Sequence, residues 1–240
     1  GLVDSHVQSA SDVSLYLTPV PDPRAYGLVP IDADGRVEAF LEKPQTPEEI
    51  VTDLINAGCY VFKRSVIEAI PDGRVVSVER ETFPGLLASG AHVRGVVDEG
   101  YWLDLGTPLA FVQGSKDLVT GKAPSPAVGA IGEVLVLDGA AVDPSAQLRG
   151  GSAIGRGAVI AADAVVDGSV VFDGAEIGAG ARVVDSIVGA GARIGADCEL
   201  HGVVVGDGAV IGSRNELRDG ARVWPGVQLD DVSIRYSSDS

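Results

Sequence analysis

The sequence has 240 residues, and its 18 Lys plus Arg against 34 Asp plus Glu give a net charge of −16, a field that repels polyanions and argues against binding along a nucleic-acid backbone. No uncharged apolar run approaches the ~18 residues that span a bilayer and no basic segment opens the chain, so a soluble cytoplasmic protein is expected. Cys59 and Cys198 lie far apart without metal-ligand spacing and read first as reduced core thiols, with a disulfide as the weaker alternative. The chain contains no Met and begins at Gly1, which points to a trimmed, processed or partial record.

The first half mixes helix and strand signals. Residues 13–20 read as a buried strand that ends in the proline-rich turn Pro19 to Pro23. Residues 27–32 and 37–42 read as two strands around Ala33-Asp34-Gly35, whose glycine can take positive φ. A further strand is predicted over 54–62, a short helix over 64–70, and a helical tendency over 78–88 interrupted by Pro84. Residues 101–105 read as a strand end. Thr107 then supplies an N-cap oxygen and Pro108 the first helical position; Leu109, Val112 and Val119 lie near one face, and Gly121 stops the helix. The stretch Lys122 to Val128, rich in proline and serine, reads as a linker.

Beyond it the pattern changes. Aliphatic residues recur at a six-residue step: Val142, Leu148, Ile154, Ile160, Val166, with Phe172 as a larger variant, then Ile177, Val183, Val188, Ile194, Leu200, Val205, Ile211, Leu217, Val223 and Leu229. A small or β-branched residue, such as Ala158, Ala164, Ala181, Ala192 or Cys198, follows most of them four positions later. No α-helix has this period, and glycine at this density would destabilise one by roughly 1 kcal/mol per residue relative to alanine. A coil of three short strands does have it, with one inward side chain per strand stacked on its equivalent a coil away, giving about five coils.

Four segments of the first half could carry chemistry. In Phe40-Leu41-Glu42-Lys43-Pro44, Lys43 can hold one phosphate as a point charge and Glu42 can accept hydrogen bonds from hydroxyls; alone, a solvated pair before a turn is the simpler reading. In Tyr26-Gly27, the glycine could let a sugar approach the backbone. Asn56-Ala57-Gly58-Cys59-Tyr60 places a polar amide and small residues inside an apolar strand, which alone would be a turn or a satisfied core amide. In Tyr101-Trp102-Leu103-Asp104-Leu105-Gly106-Thr107 a carboxylate stands where strand gives way to helix, a place where α/β folds collect ligands and where a hard oxygen suits Mg²⁺; an ordinary acidic turn residue is the alternative.

Taken in order, and followed by the hexapeptide repeats, these four motifs resemble the sugar-1-phosphate nucleotidyltransferases, and within them most closely the mannose-1-phosphate guanylyltransferase branch. The resemblance implies an α/β, partly Rossmann-like nucleotidyltransferase domain over 1–121, a linker over 122–130, and a left-handed parallel β-helix with a C-terminal tail over 131–240. It further implies that a hexose-1-phosphate, mannose-1-phosphate first, is joined to a nucleotide from GTP with release of pyrophosphate. Glu42 and Lys43 would contact the sugar and its phosphate, Gly27, Asn56, Ala57 and Gly58 would line the sugar pocket, and Asp104 would be one of two Mg²⁺ ligands; Lys43 and Asp104 are thus the expected catalytic residues. The family's glycine-rich triphosphate loop, its Pro-Lys-Pro lysine and its Gly-Asp metal ligand do not occur in this sequence. The chain is therefore expected to be the sugar-side half of the catalytic domain plus the β-helix, inactive by itself.

Thymidylyl-, uridylyl- or adenylyltransferase activity remains open at this level, as does a non-catalytic subunit. A hexapeptide-repeat acyltransferase would need a histidine base on the coil wall. His201 is the only histidine in the repeats, and it follows the inward Leu200 and so should face out. His6 and His92 read as surface or strand residues. The expected partners are a sugar-1-phosphate and a nucleoside triphosphate, with neither nucleic acid nor membrane, and a homo-oligomer joined through the flat β-helix faces.

Overall fold

A computed structural model describes residues 1–41, 43–44, 46–126 and 132–235. Glu42 and part of the expected linker lie outside the described residues. Two compact units are present, Gly1–Trp102 and Leu103–Ser240.

The first unit is built on a three-stranded sheet in the order β2-β1-β3, with β1 over Val13–Pro19, β2 over Leu54–Phe62 and β3 over Val93–Val97. The central strand pairs antiparallel with β2 and parallel with β3. Its residues Val13, Leu15 and Leu17 are fully buried with Phe83 and Val93. Burial of each large aliphatic chain contributes roughly 1.5–3 kcal/mol. On the opposite face lies helix α1, Leu2–Ser9, whose His6 is buried with Nδ1 3.0 Å from the Ser14 hydroxyl. His6 is therefore not the surface or strand residue that its sequence neighbours suggest, because α1 turns it onto the sheet.

Residues 27–32 and 37–42 do not form regular strands among the described residues. Isolated bridges join Leu28 to Leu41 and to Ile55, and Ile31 to Val37. Pro30 has no N–H to continue a ladder, although its carbonyl accepts from Glu38 at 3.0 Å. Gly35 does take positive φ, at 79°. Helix α2 covers Arg64–Glu68. Residues Val78–Thr82 form a wide five-residue turn that runs into α3, Phe83–Ala88, so Pro84 opens a helix rather than interrupting one.

The second unit begins with an irregular segment where a strand end was expected. Helix α4, Pro108–Val119, follows, with Thr107 Oγ1 accepting from the Ala110 N–H at 3.1 Å and Gly121 beyond its end at φ 79°. Val112 and Val119 are buried as expected, whereas Leu109 is 73% exposed.

The remainder is a parallel β-solenoid of short strands, which among the described residues form three sheets of six, six and five strands. Ile160, Ile177, Ile194 and Ile211 stack in one column, Ile154, Val171, Val188 and Val205 in a second, and Val166, Val183, Leu200 and Leu217 in a third. One inward position differs from expectation. Val171, not Phe172, enters the core, and Phe172 is 40% exposed. The five-residue step falls before residue 171 because the corner is pinned by Ser169, whose hydroxyl receives the Ser186 N–H at 3.0 Å and reaches the Val183 carbonyl at 3.1 Å. Ser152, Ser169 and Ser186 repeat this bond coil after coil, the last receiving the Val203 N–H at 3.0 Å. At the far end Asn215 Oδ1 accepts from the Ile234 N–H at 2.8 Å, while Trp224 stands in solvent.

Candidate functional site

The register of β1 against β2 shifts where the Asn-Ala-Gly motif lies. Leu15 pairs with Tyr60 but Leu17 with Asn56, so β2 carries two extra residues there. Gly58 turns at φ 80°, a conformation that side-chain-bearing residues rarely adopt. Such bulges re-aim side chains, and this one has three consequences. It swings Cys59 into solvent, contrary to the expectation of a core thiol, while Cys198 is buried and both thiols are free. It frees the Ala57 carbonyl, which accepts from Trp102 Nε1 at 3.3 Å. It also turns the Asn56 amide toward residues far away in sequence.

That amide is almost fully committed. Nδ2 donates to the Tyr60 hydroxyl at 2.8 Å and to Glu79 Oε1 at 2.7 Å, and Oδ1 accepts from the Gly58 N–H at 3.1 Å. Burial pushes the Tyr60 hydroxyl above its ordinary pKa, so it stays neutral at physiological pH. The Asn56 amide therefore orients Glu79 and Tyr60.

Around this hub lies a cleft of about 320 Å³ lined by Gly27, Phe40, Leu41, Asn56, Glu79 and Arg80, among others. A methyl group built on Gly27 would meet only the Leu41 carbonyl, at 3.9 Å, and would stand in the cleft. Phe40 stacks on Phe83 at 4.9 Å between ring centroids. Tyr26 meets Trp102 edge to face at 5.7 Å. The first unit thus brings together Tyr26-Gly27, Phe40-Leu41, Asn56-Ala57 and Trp102. Lys43 is exposed, on the segment that follows Leu41.

Glu79 and Arg80 were missed by sequence reasoning. The signal available was Ser77-Val78-Glu79-Arg80-Glu81-Thr82, a charged run that resembles any solvated turn. Only the wide turn over 78–82, closed by the Arg80 N–H on Ser77 Oγ at 3.2 Å, presents Glu79 and Arg80 to the cleft.

Asp104 belongs to the second unit. It is exposed, and its Oδ1 accepts from the Gly106 N–H at 3.1 Å. No group of three or more His, Cys, Asp or Glu side chains able to hold a metal ion is present among the described residues. Asp104 therefore offers a divalent cation one hard carboxylate, a donor set that fits Mg²⁺ as a partial ligand, since that ion usually takes one or two carboxylates and completes its shell with water and phosphate oxygens. No helix among the described residues is long and apolar enough to cross a membrane.

Both parts of the chain match known protein families. Residues 1–121 match the nucleotidyl transferase family model, and residues 130–225 match the GMPPB C-terminal domain. The chain is 59% identical to a mannose-1-phosphate guanylyltransferase of Mycobacterium tuberculosis, over 99% of this chain and 66% of that protein. It is 34% identical to a mannose-1-phosphate guanylyltransferase catalytic subunit beta of Drosophila pseudoobscura, over 64% of this chain and 40% of that protein. It is 31% identical to mannose-1-phosphate guanylyltransferase 1 of Arabidopsis thaliana, over 69% of this chain and 45% of that protein. The chain thus spans just under two thirds of the length of the first relative and less than half of the other two. On the match over its first 121 residues, this chain belongs to the nucleotidyl transferase family.

Proposed function

We propose that this chain supplies the sugar-phosphate side and the solenoid of a mannose-1-phosphate guanylyltransferase. A phosphate oxygen of mannose-1-phosphate attacks the α-phosphorus of GTP in line, the bond from that phosphorus to the bridging oxygen of the β-phosphate breaks, and GDP-mannose and pyrophosphate result. The observation that carries this reading is the cleft over the Asn56 hub, with a glycine on its wall, a carboxylate in Glu79 and a guanidinium in Arg80. An apolar wall with a few convergent polar groups suits a small polar ligand.

In this reading Gly27, Asn56, Ala57 and Gly58 shape the sugar pocket and Glu42 accepts from sugar hydroxyls. Lys43 holds the attacking phosphate by charge. Positioning and charge neutralisation carry such a displacement, with no protein nucleophile. Asp104 would give Mg²⁺ one oxygen ligand, and the bound ion would neutralise charge on the α-phosphate. Residues 1–121 form the sugar-side part of the catalytic domain, 122–130 the linker and 131–240 the solenoid with its tail. The protein works in the cytoplasm as a homo-oligomer joined through the solenoid.

The test is pyrophosphate release by the full gene product with each nucleoside triphosphate paired with each hexose-1-phosphate. GTP with mannose-1-phosphate should give the highest kcat/KM. Another pair ahead of it would redirect the reading to that sugar and base, and no turnover with any pair would end it.

A further inference from the structure

The segment that carries Asp104 is attached to α4, and α4 is attached to the solenoid. A methyl group built on Gly114 would come within 2.8 Å of Leu105 Cδ2 and 3.4 Å of Leu103 Cδ2, so the two leucines flanking Asp104 lie across the helix where only a glycine admits them. The Gly106 N–H and the Thr107 cap close the turn between Asp104 and the helix. Further along the helix, Lys116 sits on a corner of the solenoid. A methyl group on Gly151 would meet Lys116 Cα at 3.0 Å and its carbonyl oxygen at 3.2 Å. Lys116 Nζ passes over Gly168 and donates to Asp185 Oδ1 at 2.8 Å. Phe111 stacks on the outward Phe172 at 6.2 Å.

We infer that Lys116 and Asp185 are positioning residues for Asp104: they lock α4 onto the solenoid corner, and α4 in turn fixes the turn from which the Asp104 carboxylate projects. The solenoid is then part of the catalytic apparatus as well as an assembly surface. This inference rests on the reading of Asp104 as a Mg²⁺ ligand. A partly buried surface ion pair is weak by itself, but here it works with a close backbone approach and an aromatic stack on one helix, and ligand placement is sensitive to displacements well below an ångström.

The experiment compares K116M, D185N and the exchanged pair K116D/D185K in the full gene product, with F111L as a charge-neutral loosening of the same helix. Two quantities are read: amide hydrogen exchange at Gly106, whose N–H bonds Asp104, and the Mg²⁺ concentration giving half-maximal rate. K116M and D185N should each speed Gly106 exchange and raise the Mg²⁺ requirement about fivefold, leaving mannose-1-phosphate binding measured without metal unchanged, and the exchanged pair should recover most of both losses. Should K116M not fold, F111L is expected to show the same paired shift. Unchanged exchange at Gly106 in folded K116M and F111L would overturn the inference. D104N separates the two levels: if it keeps the wild-type Mg²⁺ dependence, the metal-ligand reading has failed, whereas loss of activity in D104N with a silent K116M defeats the positioning role alone.

Discussion

Replacing Asn56 with aspartate changes one atom of the hub and reverses its electrostatics. The Asn56 Nδ2 atom stands 2.7 Å from Glu79 Oε1 and 2.8 Å from the Tyr60 hydroxyl. In N56D that atom becomes an anionic oxygen facing a carboxylate. A hydrogen bond to a charged group contributes about 1.5–3 kcal/mol, and a repulsion takes its place. Glu79 can turn toward solvent and relieve part of it, so the net penalty on the organised cleft is taken as about 1.4–2.8 kcal/mol, a factor of ten to a hundred. On the proposed function, the KM of the full gene product for mannose-1-phosphate should rise by that factor, with kcat within about threefold, because the loss falls on binding. Two carboxylates sharing a site cannot both ionise easily, so one of them titrates at a raised pKa. The defect is therefore full above that value and shrinks as pH falls through it. Steady-state kinetics across pH, in N56D and in N56D/E79Q, make the measurement. In the double variant the amide introduced at position 79 can donate to the carboxylate introduced at position 56, and KM should return to within about fivefold of wild type. A rise in KM that Glu79→Gln leaves untouched would mean that Asn56 acts without Glu79, and no rise at all would remove the hub from the site.

The solenoid register predicts that V171D prevents folding of the second unit while F172D is tolerated with a loss below about 2 kcal/mol; thermal melts giving the reverse order would restore Phe172 to the core. Ser169→Ala leaves the buried Ser186 N–H without its acceptor and should cost about 1–3 kcal/mol in denaturant unfolding, and a loss below about 0.5 kcal/mol would mean that the serine ladder is ornamental. Lys63 and the His92 N–H hold the Asp12 carboxyl below its ordinary 3.8, so the stability it confers is present above that value and lost as pH falls through the lower folded one. D12N should thus lower the unfolding free energy at pH 7 by no more than about 1 kcal/mol, because solvent screens the pair, and match wild type in strong acid, both read by denaturant unfolding; an equal deficit at both pH values would contradict the assignment. An aromatic disulfide reagent should titrate one thiol, Cys59, in the native protein and two after denaturation, since burial both hides Cys198 and pushes its thiol pKa up; two fast thiols in the native state would contradict the solenoid core.

Much of the architecture is local and was legible as such. The hexapeptide period specifies a solenoid because each inward residue meets its equivalent one coil later, so the packing rule is written into spacing alone. The strand Leu54–Phe62 and the cap and stop of Pro108–Val119 are likewise set by neighbours within a few residues. What needed the tertiary structure are the places where distance in sequence hides distance in space. A Val-Val-Phe run leaves two choices of inward residue, and the pairing of Val171 with Ile154 and Val188, with the Ser169 bond to the next coil beside it, selects Val171. His6 looks exposed until α1 lies on β1, and Leu109 shares the expected face with Val112 and Val119 but is left in solvent. The partnership of Asn56 with Glu79 spans 23 residues and depends on a bulge and a wide turn, neither of which has a period to read. Local spacing determines the solenoid strands, Leu54–Phe62 and Pro108–Val119, because backbone bonds and side-chain alternation act over a few residues; which side chains face one another is decided by packing, where the energy of a contact is indifferent to the length of chain between its partners.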